Sequence, residues 1–361
     1  MLAPRATLRR VLEIDGAQQS GSGTLVRFGV ALAAALGRPL HVRNARAGRP
    51  KPGLRAQHVA AVRACAELCG GRAEGLAVGS RELRFHPGPR IRGGRYRWDI
   101  GTAGSTTMLA LGILPVACLA DGPVEARITG GVFQDFAPSP HHMQHVLAAL
   151  LARMGARVEL ELARAGYVPG GAGEIVLRVR PARAGLAPLE LTEQGEVRDV
   201  RGVAFASHLE ERAVGERMAR TCEEHLAAAG LRCRIERVAD ATAPQPGASL
   251  AVWAETATGC RLGADRAGAR GRSSEAIGRF VARALLEDLA SGATVDRHAA
   301  DQLVPFAALA GGASRYLAPR PTEHLAANLW LAERFGAATR RDGPLVEVRG
   351  LALRSRSCPP R

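Results

Sequence analysis

The chain has 361 residues, of which 47% are hydrophobic and 23% charged, an ordinary globular composition that excludes a mainly disordered protein. Lys and Arg number 49 against 34 Asp and Glu, a net charge of +15 that points to a polyanion, a nucleotide or a membrane surface. The longest apolar run, Met108 to Ala120, falls short of the about 20 residues a bilayer needs and is broken by Gly112 and Pro115.

Leu12 to Ile14 reads as a short strand, closed by Asp15-Gly16. After a polar, Gly-rich stretch, Thr24 to Leu36 reads as a helix stopped by Gly37. Pro39 to Arg43 reads as a strand, Leu54 to Cys69 as a helix, and Leu83 to Phe85 as the start of a strand. The pattern recurs with a strand at Arg97 to Ile100, a helix at Thr106 to Leu119, a strand at Val124 to Ile128 and a helix at His142 to Met154. Three helix ends resemble one another: Leu68-Cys69-Gly70-Gly71, Arg153-Met154-Gly155-Ala156 and Arg334-Phe335-Gly336-Ala337. Each follows an apolar helix with a His near its start: His58, His142 or His145, and His324. These are three copies of one α/β (or α+β) unit. The second gap is near twice the first, so a segment is inserted. Gly185 to Gly271 is the expected insert, with strands at Val197 to Phe205, Cys233 to Val238 and Leu250 to Ala254 and a helix at Leu209 to Ala228. The domains are then 1–184 with 272–361, and 185–271.

The N-terminal ten residues lack the apolar stretch of a signal peptide, and the seven cysteines are odd in number and scattered. Both predict a cytoplasmic protein. Cys65 and Cys69 share a helix face but no second ligand pair follows, so they read as buried small hydrophobes rather than a zinc site.

Several segments could carry chemistry. Asp15 to Thr24 is a Gly-rich turn between a strand and a helix, where free N–H groups can meet an anion; it lacks the Lys of a P-loop. Arg46-Ala47-Gly48-Arg49-Pro50-Lys51-Pro52-Gly53-Leu54-Arg55 holds four cations and no acid on a chain stiffened by two prolines. Arg90, Arg92, Arg95 and Arg97, with Tyr96 and Trp98 between them, read as an exposed strand edge sooner than a stacking surface. Near the end lie His298-Ala299-Ala300-Asp301-Gln302-Leu303 and the helix start holding His324 and Asn328, which share a face.

Together these segments, with Gln57-His58 and Gly101-Thr102-Ala103-Gly104-Ser105, resemble the RNA 3′-terminal phosphate cyclases over nearly the whole chain. The resemblance implies three repeats of a four-stranded sheet backed by two helices, plus a smaller inserted α/β domain. It implies that His324 attacks ATP to form a covalent AMP adduct. AMP then passes to an RNA 3′-phosphate, which the 2′-OH closes into a 2′,3′-cyclic phosphate. Arg27, Arg46, Arg49, Gln57 and His58 would hold phosphates, with Lys51 assisting. His298 and Pro138 would flank adenine, and Asp301 and Gln302 would shape the nucleotide site. ATP, a divalent Mg or Mn ion and an RNA 3′ end are the implied ligands; self-association is left open.

The sequence departs from the family pattern at Ser20, where Glu is usual, and at Thr24 and Leu111, where Gln is usual; the usual Gly-Gly-Thr is Gly130-Gly131-Val132. The metal ligands are therefore unassigned, with Asp135 the one candidate to replace the lost carboxylate. Asn328 is the candidate to orient the His324 ring. The alternative function is a catalytically silent RNA-binding relative of the ribosome-assembly type. A third reading, an enolpyruvyl-type transferase with the same repeated unit, is disfavoured by the basic loop and His324.

Overall fold

A computed structural model describes residues 10–353. Cys358 and the N-terminal segment read for targeting lie outside the described residues.

The first unit comprises β1 (Leu12–Asp15), α1 (Gly23–Leu36), β2 (Leu40–Arg43), α2 (Ala56–Cys69), β3 (Arg72–Glu74) and β4 (Leu83–His86). The second comprises β5 (Gly94–Asp99), α3 (Thr106–Ala117), β6 (Val124–Gly130), α4 (Pro140–His142), a π-turn at Met143–Leu147, α5 (Ala148–Arg153), β7 (Arg157–Arg164) and β8 (Gly173–Arg180). The third begins with β9 (Glu190–Leu191) and then breaks off. After the insert come α8 (Ala299–Gln302), α9 (Val304–Leu309), β14 (Ala313–Leu317), α10 (Glu323–Phe335), β15 (Ala338–Asp342) and β16 (Leu345–Arg349).

The sheet orders β1-β2-β4-β3, β5-β6-β8-β7 and β9-β14-β16-β15 are one pattern used three times. In each, the first two strands run parallel across a helical crossover and the other pairs are antiparallel. The second helix of each unit ends at a glycine with positive φ: Gly70 (63°), Gly155 (91°) and Gly336 (106°). The left-handed backbone there is cheap only without a Cβ, which is why the three helix ends look alike in sequence. The π-turn interrupts what the sequence presents as one regular helix from His142 to Met154.

Helix α1 is buried along Gly23 to Ala35 and packs against α2, α3 and α10. A helix apolar all round belongs in a core. Its single charge, Arg27, is therefore costly and marks the site.

The insert comprises β10 (Val197–Ser207), α6 (Val214–Ala228), β11 (Cys233–Asp240), β12 (Gly247–Thr256), β13 (Arg261–Ala267) and α7 (Ser274–Ala290). Its sheet runs β11-β10-β12-β13, and α6 and α7 pack on it side by side. The expected boundaries at 185 and 271 are thus corrected at both ends. Residues 190–191 pair with β14 of the third unit, and α7 belongs to the insert. Helix α6 starts at Val214 rather than Leu209, because Ala213 before it sits at φ +47°. The entry and exit of the insert are clasped by Gln194, whose Nε2 donates to the Leu289 and Ala293 carbonyls at 3.1 and 2.6 Å.

No helix among the described residues is long and apolar enough to cross a membrane. Cys65 and Cys69 are buried, and the six described cysteines are free.

Candidate active site

A cavity of about 380 Å³ lies where α1, α3, the loop 133–139, the insert and the starts of α8 and α10 meet. Arg27, Pro138, His298, Asp301, Gln302 and His324 all line it. The topology explains the gathering, because His58, His142 and His324 sit at the start of the second helix in successive units.

The turn after β1 shapes one end. Ser22 caps α1, its hydroxyl accepting from Thr24 N–H at 3.4 Å. Gly23 follows, where a Cβ would collide with His58 Nε2. Gly21, at φ +52°, lies against Gly48, so this turn and the basic loop touch backbone to backbone.

His58 Nδ1 accepts the Arg55 N–H at 3.1 Å, which satisfies a free donor at the start of α2. In the neutral ring the proton is then on Nε2, and Nε2 lies 3.2 Å from Arg27 Nη1. Two donors face one another without an acceptor. Burial, then Arg27 and Arg46, hold the His58 pKa well below its ordinary value, so the ring stays neutral. Burial also draws Arg27 down to about 10, opposed by Asp301, and its Nε has no partner. A phosphate oxygen would satisfy both donors at once.

His324 stands exposed at the cavity edge in the first turn of α10, which Thr322 caps by accepting from Leu325 N–H at 3.0 Å. Partial desolvation, then Arg49 and Arg27, lower its pKa, leaving a neutral imidazole. Burial, and then Asp296, raise Asp301 to about 8, so it is mostly protonated at neutral pH. Gln302 keeps a buried, unpartnered Oε1 in the same wall.

Other expected residues are used differently. Gln57 is turned to the backbone of α3, its Oε1 accepting from Ser105 N–H at 2.9 Å. Arg46 braces its own loop, Nη1 donating to the Lys51 and Gly53 carbonyls at 2.9 and 2.8 Å. Lys51 is exposed, whereas Arg49 is close enough to His324 to bias its charge. Asn328 does not orient His324. It accepts from Thr24 Oγ1 at 3.0 Å and donates to the Asp301 carbonyl at 2.8 Å, tying α1 to α8. Tyr96 and Trp98 stack on each other with ring centres 5.2 Å apart, and their polar atoms are committed to the Arg92 carbonyl and Glu67.

The chain's own donors do not fit a protein-held divalent cation. Among the described residues, no group of three or more His, Cys, Asp and Glu side chains is placed to hold one. Ser20 donates to Ser22 Oγ. Asp135 is occupied by Arg272 at 2.7 Å and Arg266 at 3.4 Å, which removes it as a replacement carboxylate.

Sequence reasoning missed the buried pair beneath this wall. His142 Nε2 lies 3.1 Å from Asp296 Oδ2, and Asp296 also accepts from the Gly263, His298 and Ala299 N–H groups. One carboxylate thus joins α4, β13 and the start of α8. No motif announces it; its one trace is an acid two residues before His298.

The fold and the cavity define an α/β protein with an accessible histidine at the edge of an arginine-lined cavity. The family model described as RNA 3′-terminal phosphate cyclase matches residues 18–341. The chain belongs to that family. It is 39% identical to the RNA 3′-terminal phosphate cyclase of Methanopyrus kandleri over 94% of this chain and 96% of that one. It is 42% identical to that of Hyperthermus butylicus over 88% and 90%. Among solved structures, the enolpyruvyl transferase NikO from Streptomyces tendae matches with a TM-score of 0.41 and 12% identity, covering 97% of this chain and 50% of that one.

Proposed function

We propose that the protein converts an RNA 3′-terminal phosphate into a 2′,3′-cyclic phosphate at the expense of ATP, with His324 as the covalent carrier of AMP. The observation that carries this reading is the neutral His324 ring at the rim of a cavity lined by Arg27, whose Nε is unpartnered and whose Nη1 lies against the buried His58 ring. Family membership supports the overall reaction.

In the first step, the unprotonated ring nitrogen of His324 forms a bond to the α-phosphorus. The α–β bridging bond breaks, and its electron pair leaves on pyrophosphate. Arg27 and His58 donate to phosphate oxygens, with Arg49 adding positive potential where charge builds. Next, an oxygen of the RNA 3′-phosphate displaces the imidazole and takes the AMP. Finally, the 2′-OH attacks the 3′-phosphorus and AMP leaves; the hydroxyl proton passes to solvent. Protonated Asp301 and Gln302 offer polar contacts for the base or ribose, and Pro138 and His298 offer flat flanks. No step is assigned to a metal held by the chain. A cytoplasmic setting completes the proposal.

The test is incubation with α-labelled ATP followed by denaturing electrophoresis. Labelled protein should appear, with the acid-labile, alkali-stable behaviour of a phosphorus–nitrogen bond. His324→Ala should abolish it while changing stability by no more than about 1 kcal/mol, since the ring is not core packing. Absence of label under every divalent metal would replace this reading by the silent RNA-binding relative.

A further inference from the structure

Among the described residues, five large hydrophobic side chains are exposed, and two of them, Phe136 and Phe280, line the mouth of the cavity. Phe136 is 99% exposed, on a backbone at φ +65°. Neither packing nor backbone preference selects a bulky aromatic there. Such an outlier points toward function.

The loop that carries it is anchored on both sides. Phe133 is buried and stacks on Tyr167. Gln134 donates to the Ala103 carbonyl at 3.3 Å, and Asp135 is ion-paired to Arg272. Ser139 N–H donates to Asp265 at 2.5 Å. Anchors on both sides therefore present one free ring. Across the mouth, the Arg266 guanidinium lies 4.5 Å over the Phe280 ring and also pairs with Asp135. Arg320 lines the mouth as well and is exposed, with no ion pair or hydrogen bond among the described residues.

An aromatic face held open beside the unpaired Arg320 suits one chemistry, a stacked nucleobase with its phosphate. We infer that Phe136 stacks on a nucleobase at the 3′ end of the bound RNA, with Arg320 meeting the adjoining backbone phosphate. This rests on the RNA 3′-phosphate reading above. It adds a substrate-binding residue on the same loop as Pro138, distinct in role from the flanks offered to ATP by Pro138 and His298.

The test uses a short single-stranded RNA carrying 2-aminopurine at its last nucleotide and a 3′-phosphate. Wild-type protein should quench the fluorophore on binding. Phe136→Ala should lose most of the quenching and bind about tenfold more weakly, the size of one base–aromatic stack. Phe136→Trp should restore both. Phe136→Asn suits the left-handed backbone, so it should lose quenching with Tm held or raised, which separates the effect from misfolding. The ATP concentration for half-maximal protein labelling should not move in these variants. Equal quenching by wild type and Phe136→Ala overturns the inference. So does a shifted ATP requirement with unaltered RNA binding, which would assign the ring to the nucleotide. If wild-type protein takes no label from ATP yet quenching depends on Phe136, the catalytic reading fails and the stacking stands.

Discussion

At the scale of single residues, protonation decides what the cavity can do. His324 must be neutral to attack, and its pKa lies below 6.5. Asp301 is held near 8 and is uncharged at neutral pH. As the pH rises through that value it becomes an anion beside bound phosphate, so the wild-type rate of protein–AMP formation should fall above pH 8. Asp301→Asn resembles the protonated acid. It should keep near wild-type labelling at pH 7 and lose the alkaline fall in a pH–rate profile. If the fall persists in the variant, another group is responsible. Most of this wall was legible in the sequence, because short motifs fix which residues stand together. Asn328 was misread because it ties Thr24 to the Asp301 carbonyl, and a helical spacing says nothing of which partner an amide meets.

At the scale of elements, the His142–Asp296 pair is the joint between the second unit, the insert and α8. Burial opposes a charge on His142, but facing Asp296 overcomes it and raises the pKa; the same contact lowers Asp296. The contribution of His142 is fully present below its unfolded pKa of 6.5 and is lost as the pH rises through its higher folded pKa. That of Asp296 is present above 3.8 and is lost on acidification through its lower folded value. Tm should therefore decline on the alkaline side of pH 6.5. His142→Phe or Asp296→Asn alone should cost about 3–5 kcal/mol in denaturant melts, because each strands a buried partner. A loss below about 1 kcal/mol in either would mean that water reaches the pair. The repeat was legible because the three glycine stops are dictated by backbone conformation. The insert boundaries were not, since a two-residue strand such as β9 has no periodicity and α7 differs from a core helix only in what it packs against.

At the scale of the whole molecule, the net charge of +15 is the excess of cations left once every acid is matched. The outer faces of the sheets are laced with pairs such as Arg127–Glu174, Arg178–Glu161 and Arg315–Glu347 at 2.7 to 2.8 Å. Arg49 and Lys51 of the basic loop and Arg320 at the cavity mouth have no ion pair among the described residues, and neither do exposed cations elsewhere such as Arg63, Arg157 and Arg183. RNA affinity should fall with salt, with a slope set by the cations that meet the strand rather than by the net charge. Arg320→Ala should flatten the logarithmic slope by about 0.7, the share of one single-strand phosphate contact, and Arg178→Ala should leave it unaltered. Equal effects in a salt titration would show a diffuse basic surface instead. The Gln194 clasp also bears on the order of assembly. Strand β9 must find β14, pairing Glu190 with Arg315, across a long stretch of chain. Contacts of such wide sequence separation form late. Once the insert has folded, Gln194 holds its two ends together, and the loop still to be closed shrinks to a short one. The insert is then expected to act as the folding template for the third sheet, with β9 pairing to β14 after the insert has closed.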